Sequence, residues 1–432
     1  MTLIAQKLDL TDLRAAPLPS RGKGLPLAAA GVRRGDVVRQ GWRALRDLPT
    51  PFCLIRRSAL DHNRRVMGDY LRRAGVELCP HGKTTLAPQL LALQAEDGAW
   101  GFTAATIDHL RLYRDHGITR IIFANQLVDP LAIRFLASEL DRDPAFEVSV
   151  LVDGQDGLDL LRREIGQRRK ARPLGVLVEM GAAGGRTGVR DPHAALELAR
   201  CIAASPGLEL RGVETYEGAF AGADKPEISR RVGELLNETA RLANATSAEG
   251  LFAVRRPIVT AGGSSHFEQV VRVLRARLDF DAEIVLRSGC YLTDDHGFYA
   301  ASRTDGGSGL AIAEPFKPAL EVWGHVQSRP QPDLSILTLG KRDVSYDLGL
   351  PVPILWAPAD GDERPRPIGD GFEVLRLNDQ HAYLRTPPDH PLRAGDRVGV
   401  GVSHPCTTFD KWRFLALVDD DGRIEEIVET FF

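Results

Sequence analysis

The chain is poor in several features that would fix its class at once. Five cysteines in 432 residues, Cys53, Cys79, Cys201, Cys290 and Cys406, are an odd and scattered set with no C-x-x-C pair. That excludes the dense disulfide framework of small secreted domains and predicts reduced thiols, any of which can still serve as a ligand. Charge of one sign is not in excess either: 55 Lys and Arg against 58 Asp and Glu leave a net charge of −3. Nothing in that balance draws the chain to nucleic acid or to an anionic membrane, so a small-molecule partner is expected. No run approaches the roughly 18 apolar residues of a membrane span, and the opening MTLIAQKLDLTDLRAAPLPSRGKG has no apolar core before a cleavage site. A cytoplasmic location follows as the expectation. With 43% hydrophobic and 26% charged residues the chain is neither disordered nor fibrous, and its length leaves room for two or three domains.

What the sequence does have is a rhythm. From residue 51 to about 290, short apolar runs rich in β-branched residues alternate with amphipathic stretches, the pattern of β-α units on a parallel sheet. The runs predict strands at Pro51 to Ile55, Val76 to Cys79, Gly101 to Ala105, Ile121 to Asn125, Val148 to Asp153, Gly175 to Met180, Leu210 to Tyr216, Ile258 to Gly262 and Ile284 to Gly289. Helices are predicted over Asp108 to His116 and Pro226 to Ala245. The size suits a (β/α)8 barrel, but nine strands are one too many. The first is therefore expected outside the closed barrel, with an open doubly wound sheet as the alternative. Beyond about residue 305, Pro and Gly become dense and short strand-like pieces follow one another: Ala319 to Val326, Leu334 to Leu339, Phe372 to Leu377 and Arg397 to Val402. These predict a separate β domain with an exposed loop over Ala357 to Pro367. The expected division is an N-terminal extension 1–50 packed on the β domain, a barrel 51–304 and a β domain 305–432.

In such folds chemistry gathers where parallel strands end. Lys83 in PHGKT follows the second strand; it reads either as a desolvated, nucleophilic amine or as a solvated loop lysine. The turn Gly262, Gly263, Ser264, Ser265 offers backbone N–H groups and hydroxyls to a phosphate, or is an ordinary capped strand-to-helix turn. Arg186 follows a glycine-rich turn and carries a fixed charge. Tyr216 and Tyr291 are cofactor neighbours or core aromatics, and Glu217 is a site residue or a solvated one. His404 and Cys406, in GVSHPCTTFDKWR, place imidazole and thiol on one side of an extended chain, where they can hold zinc or simply pack. Asp410 and Lys411 nearby read as surface charges.

Together PHGKT, RTGV, ETYEG, TAGGSS, RSGCY and SHPCTTFD, in this order from about Pro51 to Phe409, resemble the D-threonine aldolase and D-serine dehydratase family. The resemblance implies a pyridoxal 5′-phosphate enzyme with an alanine-racemase-like barrel (fold type III), a C-terminal β domain and a homodimer. It implies Lys83 as the Schiff-base lysine, Arg186 at the pyridine nitrogen and Tyr216 near the cofactor. Gly262, Gly263, Ser264 and Ser265 would hold the phosphate, with the backbone of Gly289 and Cys290 and the side chain of Tyr291 on the other side. His404 and Cys406 would bind a divalent metal. Two positions depart from the family pattern: Thr85 and Leu86 follow Thr84 where a basic residue is common, and Glu217 stands where histidine is common.

In that family many aldolases have aspartate as the second ligand and the dehydratase branch has cysteine with zinc, so the resemblance at Cys406 implies the dehydratase branch; a soft thiolate likewise favours zinc over manganese or magnesium. The expected reaction is loss of water from a D-3-hydroxy amino acid, D-serine or D-threonine, to an enamine that hydrolyses to a 2-oxo acid and ammonia. The alternatives are aldol cleavage to glycine and an aldehyde, an amino acid racemase, or a non-catalytic carrier of the cofactor.

Overall fold

A computed structural model describes residues 7–165, 172–220, 224–302, 311–360 and 364–432. The first strand, β1 (Phe52–Arg56), precedes eight parallel ones: β2 (Glu77–Leu78), β3 (Phe102–Ala104), β4 (Arg120–Gln126), β5 (Glu147–Val152), β6 (Leu174–Met180), β7 (Leu208–Thr215), β8 (Ile258–Ala261) and β9 (Glu283–Leu286). Those eight form one sheet in the order β2-β9-β8-β7-β6-β5-β4-β3. Its ends meet, because Trp100 N–H donates to the Leu78 carbonyl at 2.8 Å and Thr103 N–H to that of Pro80 at 2.9 Å. The result is the closed barrel that the rhythm predicted, of the alanine-racemase-like kind that the resemblance implied.

The middle of the sheet is apolar on both faces for a physical reason. Trp100, Ile122, Leu151, Leu177, Ile258 and Val285 belong to a cluster filling the barrel interior, while the alternate residues meet the helices outside, so all seven residues of β6 are buried. Asp-Pro pairs start two of those helices. Asp129 accepts the Leu131 N–H at 2.9 Å, and Asp191 accepts those of His193 and Ala194 at 3.1 and 3.3 Å, each followed by a proline whose missing donor is no loss in a first turn. The expected helices are present as Ile107–Asp115, burying Leu110 and Tyr113, and Lys225–Ala248, burying Leu235 and Leu236.

The surplus strand belongs to the second sheet. That sheet contains β10 (Leu320–Gln331), β11 (Leu334–Leu337), β12 (Val352–Ala357), β13 (Arg366–Pro367), β14 (Glu373–Leu377), β15 (Ala382–Arg385), β16 (Arg397–Gly401), β17 (Phe414–Val418) and β18 (Ile424–Glu429). β1 lies between β10, antiparallel with Phe52 opposite Trp323, and β17, parallel with Leu54 opposite Ala416. Over it pack Leu18, Leu25, Val37 and Trp42 from the N-terminal segment, in one cluster with Phe52, Trp323 and Phe414. Of the expected loop between Ala357 and Pro367, residues 361–363 lie outside the described residues. Among the described residues no helix is long and apolar enough to cross a membrane.

Candidate active site

A cavity of 1070 Å³ opens at the carboxyl ends of the barrel strands. Lys83, Arg186, Tyr216, the Gly262 to Ser265 turn, Gly289 and Cys290 reach it from the barrel, and His404 and Cys406 reach it from the β domain. The side chain of Tyr291 does not arrive. Its hydroxyl accepts from Gln94 Nε2 at 3.2 Å and its ring lies 6.0 Å from Phe316, so it is a core aromatic.

Lys83 sits in the short 3-10 turn Gly82–Thr84 after β2. The turn needs its glycine, because a Cβ at position 82 would fall 2.1 Å from the Tyr113 hydroxyl. Beside it, His81 is held neutral: burial, then the charges of Lys83 and Arg287, push its pKa well below 6.5. Its Nδ1 is buried with no partner among the described residues. Lys225 also lines the cavity, a second lysine that strand ends alone did not predict.

Arg186 lies with its guanidinium 4.6 Å from the centre of the Tyr216 ring, a stack that holds both side chains at the rim. Burial raises the Tyr216 hydroxyl pKa, so the ring carries a neutral donor. The glycine turn differs from expectation in one respect. Gly263 N–H donates to both carboxylate oxygens of Glu217, at 2.8 and 3.0 Å, so a backbone donor expected to face a phosphate is already engaged. Glu217 is fully buried rather than solvated. Burial raises its pKa against the opposing pull of those N–H groups. A Cβ on Gly263 would stand 2.2 Å from Glu217 Oε1, and one on Gly262 2.3 Å from Arg287 Nη2. Both glycines are therefore required by side chains packed beneath the turn.

That underlying layer was not predicted. Arg287 and Glu214, 2% and 1% exposed, form an ion pair through Arg287 Nη2, which also donates to the Thr215 carbonyl at 3.2 Å. Arg287 Nε and Nη1 and Glu214 Oε2 have no partner among the described residues. Burial pushes Glu214 up to about 7, with the Arg287 charge opposing. Both residues were visible inside quoted motifs, ETYEG and RSGCY, but nothing local marks them as partners.

The candidate metal pair is arranged by a turn. Pro405 is helical (φ −60, ψ −46) and Cys406 opens the helical turn Cys406–Phe409, so the extended chain expected at H-x-C is not what aligns the two. His404 Nδ1 contacts Asp347 Oδ2 at 2.7 Å, and Thr407 Oγ1 donates to Asp347 Oδ1 at 2.7 Å. A carboxylate on one ring nitrogen orients the other for a metal. Cys406 Sγ lies 3.4 Å from Cys290 Sγ, and the S–H shared between them lowers the Cys290 pKa and raises that of Cys406. Among the described residues no three His, Cys, Asp or Glu side chains stand close enough to form a preassembled metal cluster. Asp410 is exposed, as expected, and sits at the cavity edge, where Lys411 Nζ pairs with its Oδ1 at 3.7 Å.

Residues 55–282 match the family "Alanine racemase, N-terminal domain", and residues 319–418 match the "Putative serine dehydratase domain". The chain is 26% identical over 355 residues to 3-hydroxy-D-aspartate aldolase of Paracoccus denitrificans (strain Pd 1222), covering 80% of this chain and 85% of that protein. It is also 26% identical over 253 residues to D-threo-3-hydroxyaspartate dehydratase of Delftia sp. (strain HT23), covering 57% and 62%. In fold it is similar to the solved D-threonine aldolase from Filomicrobium marinum, with a TM-score of 0.75 at 23% identity over 90% of this chain and 97% of that one. With more than half of its length matched by the first of these family models, the chain belongs to the alanine racemase N-terminal-domain family, here joined to a β domain of the serine dehydratase type.

Proposed function

We propose that the chain is a pyridoxal 5′-phosphate- and metal-dependent lyase of D-3-hydroxy amino acids, and within that class a dehydratase releasing a 2-oxo acid and ammonia. One observation carries this reading: Lys83 and the His404, Cys406 pair, from different domains, open onto the same cavity. The donor set suits both groups. A lysine, a glycine turn with Ser264 and Ser265, and an arginine stacked on Tyr216 match the three ends of the cofactor, and an imidazole oriented by Asp347 together with a thiol lining the same cavity matches a soft metal.

When bound, the cofactor supplies an electron sink for charge developing at Cα. Lys83 would hold it and then, displaced by the substrate amine, accept the Cα proton at Nζ. Neutral His81 beside it adds no second positive charge. Arg186 is the residue we assign to the pyridine nitrogen, where its permanent charge keeps that nitrogen an acceptor. Ser264, Ser265 and the remaining backbone donors of their turn would take the phosphate, with Glu217 fixing the turn through Gly263. His404 and Cys406 would hold the metal, whose Lewis acidity suits departure of a β-hydroxyl. A racemase or a simple carrier has no use for that pair. Aldol cleavage does, and the sequence relationship to an aldolase supports it as the second reading.

Purified protein given D-serine, D-threonine and D-3-hydroxyaspartate should release 2-oxo acid and ammonia in equal amounts. Glycine with an aldehyde instead would establish the aldolase. The protein should be yellow, and borohydride reduction with peptide mapping should label Lys83; a label on Lys225 would overturn the assignment.

A further inference from the structure

We infer that Cys290 is a third protein ligand of the metal, completing a two-thiolate, one-imidazole set with a single position left for the substrate oxygen. The inference rests on the reading above that His404 and Cys406 bind a metal, and it adds the ligand count and the class of ion.

Cys290 stands just after β9, and Cys406 opens a helical turn after β16, yet their sulfurs are 3.4 Å apart. Two thiolates bound tetrahedrally to one zinc at about 2.3 Å each stand about 3.8 Å from one another, whereas a disulfide needs about 2.05 Å. The observed spacing is within a few tenths of an ångström of the first value and far from the second. The surroundings of Cys290 are also wrong for a thiol that merely fills space. Thr84 Oγ1 lies 3.7 Å from Cys290 Sγ and 3.6 Å from Cys406 Sγ, and the Tyr299 hydroxyl bonds to Cys290. A hydroxyl shared by two sulfurs is the kind of outer partner that orients thiolate ligands. Thr84 adjoins Lys83, which brings the two sulfurs to the lysine's end of the cavity.

The described side chains do not form a ready cluster, so the ion itself would draw the imidazole of His404 in toward the two sulfurs. Two thiolates neutralise a divalent cation and make the site soft, which selects zinc over manganese or magnesium. Three protein ligands with one open position is the arrangement of a catalytic rather than a structural zinc.

The test uses holoenzyme stripped of metal by a chelator and reloaded with cobalt(II), whose near-ultraviolet thiolate-to-metal absorption grows with the number of bound sulfurs. Cys290→Ser and Cys406→Ser should each lose about half of the wild-type band, one thiolate of two, and the double variant all of it, with the cofactor's own absorbance retained as the sign of an intact fold. Zinc affinity of Cys290→Ser should fall by no less than the roughly 10–100-fold that loss of an outer partner costs. X-ray absorption on the unsubstituted zinc holoenzyme, which needs no variant, should count two sulfurs. A full cobalt band in Cys290→Ser, or one sulfur in the zinc enzyme, would overturn the inference and leave the His404, Cys406 reading standing. Failure of the wild type to bind cobalt or zinc would overturn both.

Discussion

At the scale of single residues, the glycine turn and the buried charges beneath it make the sharpest expectations. Because the Cβ of any residue at 263 would meet the Glu217 carboxylate, Gly263→Ala should destabilise the fold by about 1–3 kcal/mol through overpacking. In a Glu217→Ala background the same change should cost much less, and a double-mutant cycle by urea denaturation measures that coupling; additive losses would mean that the carboxylate is not the obstacle. Glu214 gives a pH dependence. Its folded value, about 7, lies above its reference value of 4.5, so the native state holds the proton more tightly than the unfolded chain. That contribution to stability is complete below about pH 4.5 and is lost as the pH rises through about 7. The stability of wild type relative to Glu214→Gln should therefore fall across this window; a flat difference would mean that Glu214 stays ionised. Glu217 stood out in the sequence and Glu214 did not, but the partner of neither could be read beforehand, because a strand-end motif fixes where a residue sits but not which group, 46 or 73 residues away, its side chain meets.

At the scale of elements, β1 is tied to its neighbours by more than its ladder. Arg56 donates through Nε and Nη2 to the two carboxylate oxygens of Glu321 on β10, at 2.7 and 3.0 Å. The same carboxylate accepts the Trp323 indole N–H at 2.8 Å. Glu321 is 6% exposed, so Arg56→Ala would strand a buried charge and should cost about 3 kcal/mol in chemical denaturation. Arg56→Lys, which restores charge without the fork, should fall between the two; a neutral result for alanine would show that water reaches the carboxylate. The strands themselves were legible in the sequence because burial on both faces writes a continuous apolar run, and the barrel could be read from their spacing. The sheet that takes up β1 was not, since an apolar run of five residues looks the same between helices as between β10 and β17. Likewise Tyr291 and Cys290 are neighbours in one motif, yet the tight turn Cys290–Leu292 sends one side chain to Gln94 and the other to Cys406.

At the scale of the whole molecule, the cavity is assembled from both domains, the barrel supplying Lys83 and the β domain His404 and Cys406. Chelation should therefore abolish turnover of a β-hydroxy D-amino acid while leaving the yellow cofactor in place, with added zinc restoring activity; full turnover in metal-free protein would reject the proposed elimination. The motifs announced that meeting of distant residues only as an ordered series, because sequence order carries no distance. The placement of β1 has a further consequence, for how the protein is made. The strand leaves the ribosome about 270 residues before Trp323, its partner on β10. At about 5–20 residues per second that is a wait of tens of seconds. During it the barrel can form from local β-α units, while the nascent chain carries an apolar strand whose two neighbours do not yet exist. The β domain is thus completed around a strand made before the barrel, and His404 and Cys406, the residues proposed to hold the metal, arrive at the barrel mouth only when that long loop has closed.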